Sequence, residues 1–263
     1  MASEDTTQGF LLPPVRNVPM YRAFAWLKRG WHDYWHAAWH VSAAHGLLAA
    51  TFGLLLIVFA RGNFYLLAGA FTGFLLVGPI LCTGLYEVSR RLERGEHAGF
   101  AEAIEAWKRG TRPLVGLGLI LAVIGTFWVM LSAVLLALFV HEPIIGLEGF
   151  LRHVVLSQGS YLFIVWLALG GLVASLVFAG CAISVPLMLD REIDLHSAIL
   201  TSVQAVAINP IAMAIWATLI MGLTLLGMAL LMVGLIPVVP VIGHATWYAY
   251  REMVDVSGIP ERN

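Results

Sequence analysis

The chain has 263 residues, 60% of them hydrophobic and 12% charged, which leaves too little polar surface to cover a water-soluble domain of this size. Lipid must therefore solvate most of it. The formal net charge of −1 hides an uneven distribution, so where each charge sits matters more than the total, and no nucleic-acid partner is expected.

Residues 1–20 read as a flexible N-terminal segment. They lack the basic start, short apolar region and small-residue cleavage site of a secretory signal, so the expectation is that nothing is removed. A single membrane domain is expected over 21–250. It opens with Trp31, Tyr34, Trp35 and Ala38 at i, i+3, i+4 and i+7, one apolar helix face. Runs without Asp, Glu, Lys or Arg then predict spans at about 43–60 and 64–85. Phe100, Ala103, Ile104 and Trp107 repeat the amphipathic spacing before spans at about 114–140 and 162–189. Leu195, Ala198, Ile199 and Ser202 do so before an apolar run over 211–250. That run is twice the length one crossing needs, and Gly234, Pro237 and Pro240 interrupt it, so it divides into spans at about 211–233 and 235–250. Residues 251–263 form a C-terminal tail. Cys82 and Cys181 both lie inside apolar runs, which argues against a disulfide scaffold.

The predicted fold is an all-α integral membrane protein with six transmembrane helices in three two-helix repeats, each preceded by a cytoplasmic amphipathic helix. Each repeat carries a late proline, Pro79, Pro186 or Pro240, followed by Arg90, Arg191 or Arg251. Two-span units keep one orientation, so the copies predict a pseudo-threefold bundle about an axis along the membrane normal. Of the 15 basic residues, all but Arg61 and Arg152 fall on the termini and the second and fourth loops. Basic residues near spans are retained on the cytoplasmic side, so both termini are expected in the cytoplasm and the protein in the bacterial inner membrane. Trp26, Trp31, Trp35, Trp39, Trp107 and Trp247 fall on that same side, where an indole buries its ring and keeps its donor wet.

The stretch Gly78-Pro79 through Gly84-Leu85-Tyr86-Glu87-Val88-Ser89-Arg90-Arg91-Leu92-Glu93 and the stretch Pro240-Val241-Ile242-Gly243-His244-Ala245-Thr246-Trp247 carry a resemblance. So do Gly30-Trp31 with Asp33, and Pro186-Leu187 with Asp190-Arg191. These residues resemble a bacterial integral-membrane family catalogued as domain of unknown function 2189, over nearly all of the chain. Some members carry a cytochrome c oxidase subunit label. That resemblance implies an accessory or assembly role beside a respiratory oxidase, and it implies no catalytic residues. A haem-copper catalytic subunit needs axial histidines for two haems and more for copper, whereas the spans here offer only His45 and His244, near their ends.

Three groups of residues are candidates for chemistry. His32, His36 and His40 are spaced by four with His45 close behind, a pattern that can ligate zinc or copper from one helix face. Trp31, Trp35 and Trp39 repeat with the same period, so the preferred reading makes the histidines polar partners of an aromatic interfacial stripe. Cys82, Asp190 and His244, with His45, are expected near the cytoplasmic ends of spans from all three repeats, as a copper or haem site or, preferably, as hydrogen-bonding partners for backbone freed by prolines. Arg90, Arg91 and Arg94 are positioned to hold anionic lipid headgroups.

The leading expectation is a non-catalytic accessory or scaffold protein, partnered by anionic lipid and by a respiratory membrane complex, with no cofactor. Second is a transporter or lipid-handling protein for a small apolar or zwitterionic molecule, since no charged residue within the spans suggests ion coupling. Third is a protein handling copper, zinc or haem.

Overall fold

The computed structural model describes residues 12–36, 39–59, 82–108, 112–142, 144, 146–157 and 161–262. The described residues are helical apart from connectors, with no strand among them. The order is α1 (Arg22–His36), α2 (Trp39–Phe59), α3 (Thr83–Glu93), α4 (Phe100–Lys108), α5 (Arg112–Phe139), α6 (Gly146–Phe150) running into one π-turn (Leu151–Val155), α7 (Leu162–Cys181), α8 (Ser184–Asp190), α9 (Leu195–Ile208), α10 (Pro210–Ala229) and α11 (Leu235–Met253).

Four helical stretches are long and apolar enough to cross a membrane: Trp39–Val58, Arg112–Phe139, Leu162–Asp190 and Pro210–Ala229. They match four of the predicted spans. The span expected at 64–85, with Pro79, lies almost wholly outside the described residues, and α3 carries its far end away from Cys82. The stretch expected at 162–189 is broken at Ala182–Ile183 into α7 and α8. Pro186 accounts for the break, because its ring meets the carbonyl four residues earlier, at Ala182, and it has no N–H to donate there.

The split of the last apolar run is present, but α10 stops at Ala229, earlier than expected, and both prolines lie within α11. The reversal is made by Leu231 and Met232, whose φ of 53° and 66° put two non-glycine residues in left-handed conformation. Pro237 falls in the first turn of α11, where no N–H is required. Pro240 leaves the Ile236 carbonyl without its helical donor, and α2 closes on that carbonyl. A Cβ at Gly46 would collide with the Ile236 oxygen and lie 2.6 Å from its Cα, so only glycine lets the two backbones meet there.

α11 is the hub, packed against α1, α2, α3, α8 and α10. Its faces are buried from Pro240 to Met253, including His244, Trp247 and Tyr250. α1 crosses it where Gly30 abuts Val241 and Ala245; a Cβ at Gly30 would stand 2.8 Å from the Ala245 nitrogen. The packed face of α1 is Ala23, Trp26, Gly30, Asp33 and Tyr34, while Trp31 and Trp35 point outward with Trp39 of α2 beyond them. Trp26 meets Trp216 of α10 edge to face, with centroids 6.0 Å apart, and donates its Nε1–H to Glu252 at 2.7 Å. In α4 the buried residues are Ala103 and Ala106 while Phe100 and Ile104 are exposed, and in α9 Ala198 and Ser202 are buried.

α5 and α7 pack against each other and against α8 and α9. Trp128 of α5 lies so close to Gly170 that a Cβ there would be 2.9 Å from its ring, and Trp166 donates to Ser132 at 2.6 Å. Outside this seam the two helices present leucine, valine, isoleucine and phenylalanine outward.

The segment that begins at residue 12 and the one that follows Met253 are fastened to the bundle. Residue 12 onward runs across the end of α11: Arg16 N–H donates to Met253 O at 2.7 Å and Asp255 N–H to Pro14 O at 2.8 Å. Asn209 receives the Val18 N–H at 2.7 Å. The tail after Met253 then reaches α8, where Arg262 N–H donates to Asp190 O at 2.9 Å. Residues 1–11 lie outside the described residues.

Candidate functional site

The polar residues gather at the end of the bundle that holds both chain ends, in two networks on either side of α11. The first is centred on His244, which is fully buried. Its Nε2 lies 2.9 Å from Ser42 Oγ of α2 and its Nδ1 2.8 Å from Ser89 Oγ of α3. Ser89 donates to Asp33 Oδ2 of α1 at 3.0 Å, and the Tyr248 hydroxyl donates to the same oxygen at 2.8 Å. Four helices are joined by one imidazole and one carboxylate. Burial raises the Asp33 carboxyl above its usual range, opposed by the hydrogen bonds from Tyr248 and Ser89 and by neighbouring His32.

The second network is centred on Asp190 at the end of α8. It accepts from the Tyr250 hydroxyl at 2.7 Å and from Arg191 Nε at 3.0 Å, with Arg251 3.7 Å and Arg94 3.8 Å away. Glu87 of α3 is fully buried and takes two hydrogen bonds from Arg90, at 2.8 and 3.1 Å, and one from Arg91 at 2.8 Å. Glu93 receives the Trp247 indole N–H and the Arg251 guanidinium, each at 3.1 Å. Glu261 of the tail bridges Arg94 and Arg191 at 3.0 and 3.2 Å. Every charge here is paired, which is what burial of carboxylates in a low-dielectric site demands.

The sequence candidates fall as follows. Of the histidine row, His32 is exposed with Nδ1 3.7 Å from Asp33 Oδ1, His40 is exposed beside the Phe100 ring at 5.7 Å, and His45 is half-buried and bonded to the Val41 carbonyl at 2.9 Å. The His36 side chain lies outside the described residues. Among the described residues, no three His, Cys, Asp or Glu side chains are grouped to hold a metal. Cys82, Asp190 and His244 do not converge: His244 belongs to the first network, Asp190 to the second, and Cys82 pairs with Tyr86. Arg90 is buried, and Arg91 and Arg94 are partly so, all facing Glu87 or Glu261.

Sequence reasoning did not single out Ser42, Tyr248, Tyr250 or Glu252, and placed Ser89 only within the polar stretch that follows the second apolar run. The available signal was positional: each is polar and lies at or near the end of an apolar run.

Comparison with curated proteins and with solved structures gives no significant match. Residues 66–190 match the family model described as predicted integral membrane protein (DUF2189), the family this sequence resembles.

Proposed function

We propose that this membrane protein is a non-catalytic scaffold or accessory subunit of a larger membrane assembly. The observation that carries this reading is how the chemically capable side chains are used. Asp33, Glu87, Asp190, Glu252 and His244 are engaged with partners of the same chain and lock the ends of α1, α2, α3, α8 and α11 together. The outward faces of α5, α7 and α10 meanwhile remain broadly apolar and available to lipid or to helices of another protein. A rigid core with an apolar perimeter suits a platform.

The proposal includes six spans, with the 64–85 stretch and α11 as the second and sixth, three repeats, and both termini in the cytoplasm. The distribution of basic residues supports the orientation. The exposed aromatic row Trp31, Trp35 and Trp39 with Lys28 and Arg29 alongside supports contact of α1 with anionic headgroups. A respiratory oxidase is the first partner to look for, on the strength of the family resemblance.

The test is purification from native membrane in mild detergent, with elemental and absorption analysis and identification of co-purifying proteins in one sample. A metal-free protein that brings down a membrane complex is the expected result. Stoichiometric copper, zinc or haem, lost on substituting His32 or His45, would replace the scaffold reading, and a metal-free protein without partners would favour transport.

A further inference from the structure

We propose that Ser42, His244, Ser89 and Asp33 form a directed hydrogen-bond relay, in which a carboxylate near the rim of the bundle sets the tautomer of the histidine at its centre and, through it, the direction of the Ser42 hydroxyl. Ser89 has one hydroxyl proton and two neighbours, Asp33 Oδ2 at 3.0 Å and His244 Nδ1 at 2.8 Å. A carboxylate is the stronger acceptor, so the proton goes to Asp33, as does that of Tyr248. The Ser89 oxygen can then only accept from the ring, which places a proton on Nδ1. His244 is left with an unprotonated Nε2, and Ser42, 2.9 Å away, donates to it. The order is Ser42 to His244 to Ser89 to Asp33, each bond dictated by the next.

The surroundings are consistent with that polarity. His32 on α1 stands at the open end, 3.7 Å from Asp33 Oδ1, and Arg29 lies over the Tyr248 ring at 5.0 Å. Among the described residues, Glu93 on α3 and His45 on α2 also act on the chain. The Leu85 carbonyl, an acceptor only, also faces the His244 ring. Ser42, Ser89 and His244 are each fully buried, so what the relay polarises is an interior hydroxyl at the start of α2, not a group open to substrate. A change at the rim is thereby communicated to the packing of α2 on α11, which goes beyond a static scaffold.

Two measurements on the full-length protein in lipid bilayers test this. Nitrogen NMR of ring-labelled histidine, with the His244 signals assigned by their loss in His244→Asn, is expected to show the proton on Nδ1. A double-mutant cycle between Asp33→Ala and Ser42→Ala is expected to depart from additivity by about twofold or more in the unfolding constant, although the two side chains share no direct bond. A proton on Nε2, or a doubly protonated ring, overturns the relay, as does an additive cycle. If Asp33→Ala does not fold, the tautomer of the native protein decides alone.

Discussion

Asp33 and Asp255 are two carboxylates with opposite pH behaviour, and the difference lies in what surrounds each. Burial raises the Asp33 carboxyl, so its contribution to stability is fully present below the ordinary carboxylate value and is lost as pH rises through the raised one. Asp255 is partly exposed and held down to about 2 by Ser257 and then Arg16, so its contribution is present above the ordinary value and is lost as pH falls towards 2. Unfolding midpoints measured against pH should show Asp33→Asn gaining on the native protein as pH rises above about 4, and Asp255→Asn losing to it as pH rises from about 2 to about 4, with no further change above that. Glu87 represents a third case, a carboxylate fully buried between two guanidiniums. Glu87→Ala leaves the buried Arg90 without its counter-charge and should cost about 3–5 kcal/mol of stability. A loss under about 1 kcal/mol in thermal or denaturant unfolding in detergent would show that water reaches this pair. Neither Glu87 nor Asp33 reveals its burial in sequence, because a charged residue outside an apolar run looks the same whether it faces solvent or a neighbouring helix.

At the scale of elements, the contacts of α11 depend on glycines opposite backbone. Gly46→Ala forces a methyl group into the Ile236 carbonyl, and Gly30→Ala does the same at Val241. Each should destabilise the protein by about 1–3 kcal/mol, while Gly171→Ala, with open space around it, should be close to neutral in the same unfolding assay. Equal behaviour of the three variants would contradict the close helix crossings. The spacing of Trp31, Tyr34 and Trp35 marked an apolar face expected at the headgroup boundary; the structure leaves Trp31 and Trp35 exposed, but buries Tyr34 with Ala23, Trp26, Gly30 and Asp33, through which the helix packs. Aromatic periodicity cannot separate a face buried in protein from one turned towards lipid or headgroups, because both are apolar. Small residues, which permit close approach, mark the protein-facing side.

For the whole molecule, the two chain ends and α8, α3 and α11 are bound into one assembly by Glu261, Arg262 and the segment from Pro14 to Val18. Removing residues 254–263 should lower thermal stability and expose Arg94 and Arg191 to proteolysis, even though the deleted stretch contains no span. Single cysteines introduced at Ser3, Glu148 and Arg262 test the topology: Ser3 and Arg262 should label from the cytoplasmic side and Glu148 from the other. Labelling of all three from one side would rule out the six-span arrangement.

Composition by itself determined that the protein is a helical membrane protein, since lipid offers no hydrogen bonds and a chain this apolar must satisfy its backbone within helices. The apolar runs located four helices long enough to cross, because a span's minimum length is set by bilayer thickness and can be counted along the chain. Which polar residues meet was decided only by the tertiary structure. Ser42, Ser89 and Asp33 are spread over three helices, and their convergence on His244 depends on the closeness of approach that Gly30 and Gly46 allow. The same holds for Asp190, whose partners come from Arg94 just past α3, from α11 and from the residue next to it. Pairings of this kind arise from the angles and depths at which helices cross, and those are set by packing between faces distant in sequence rather than by any local pattern.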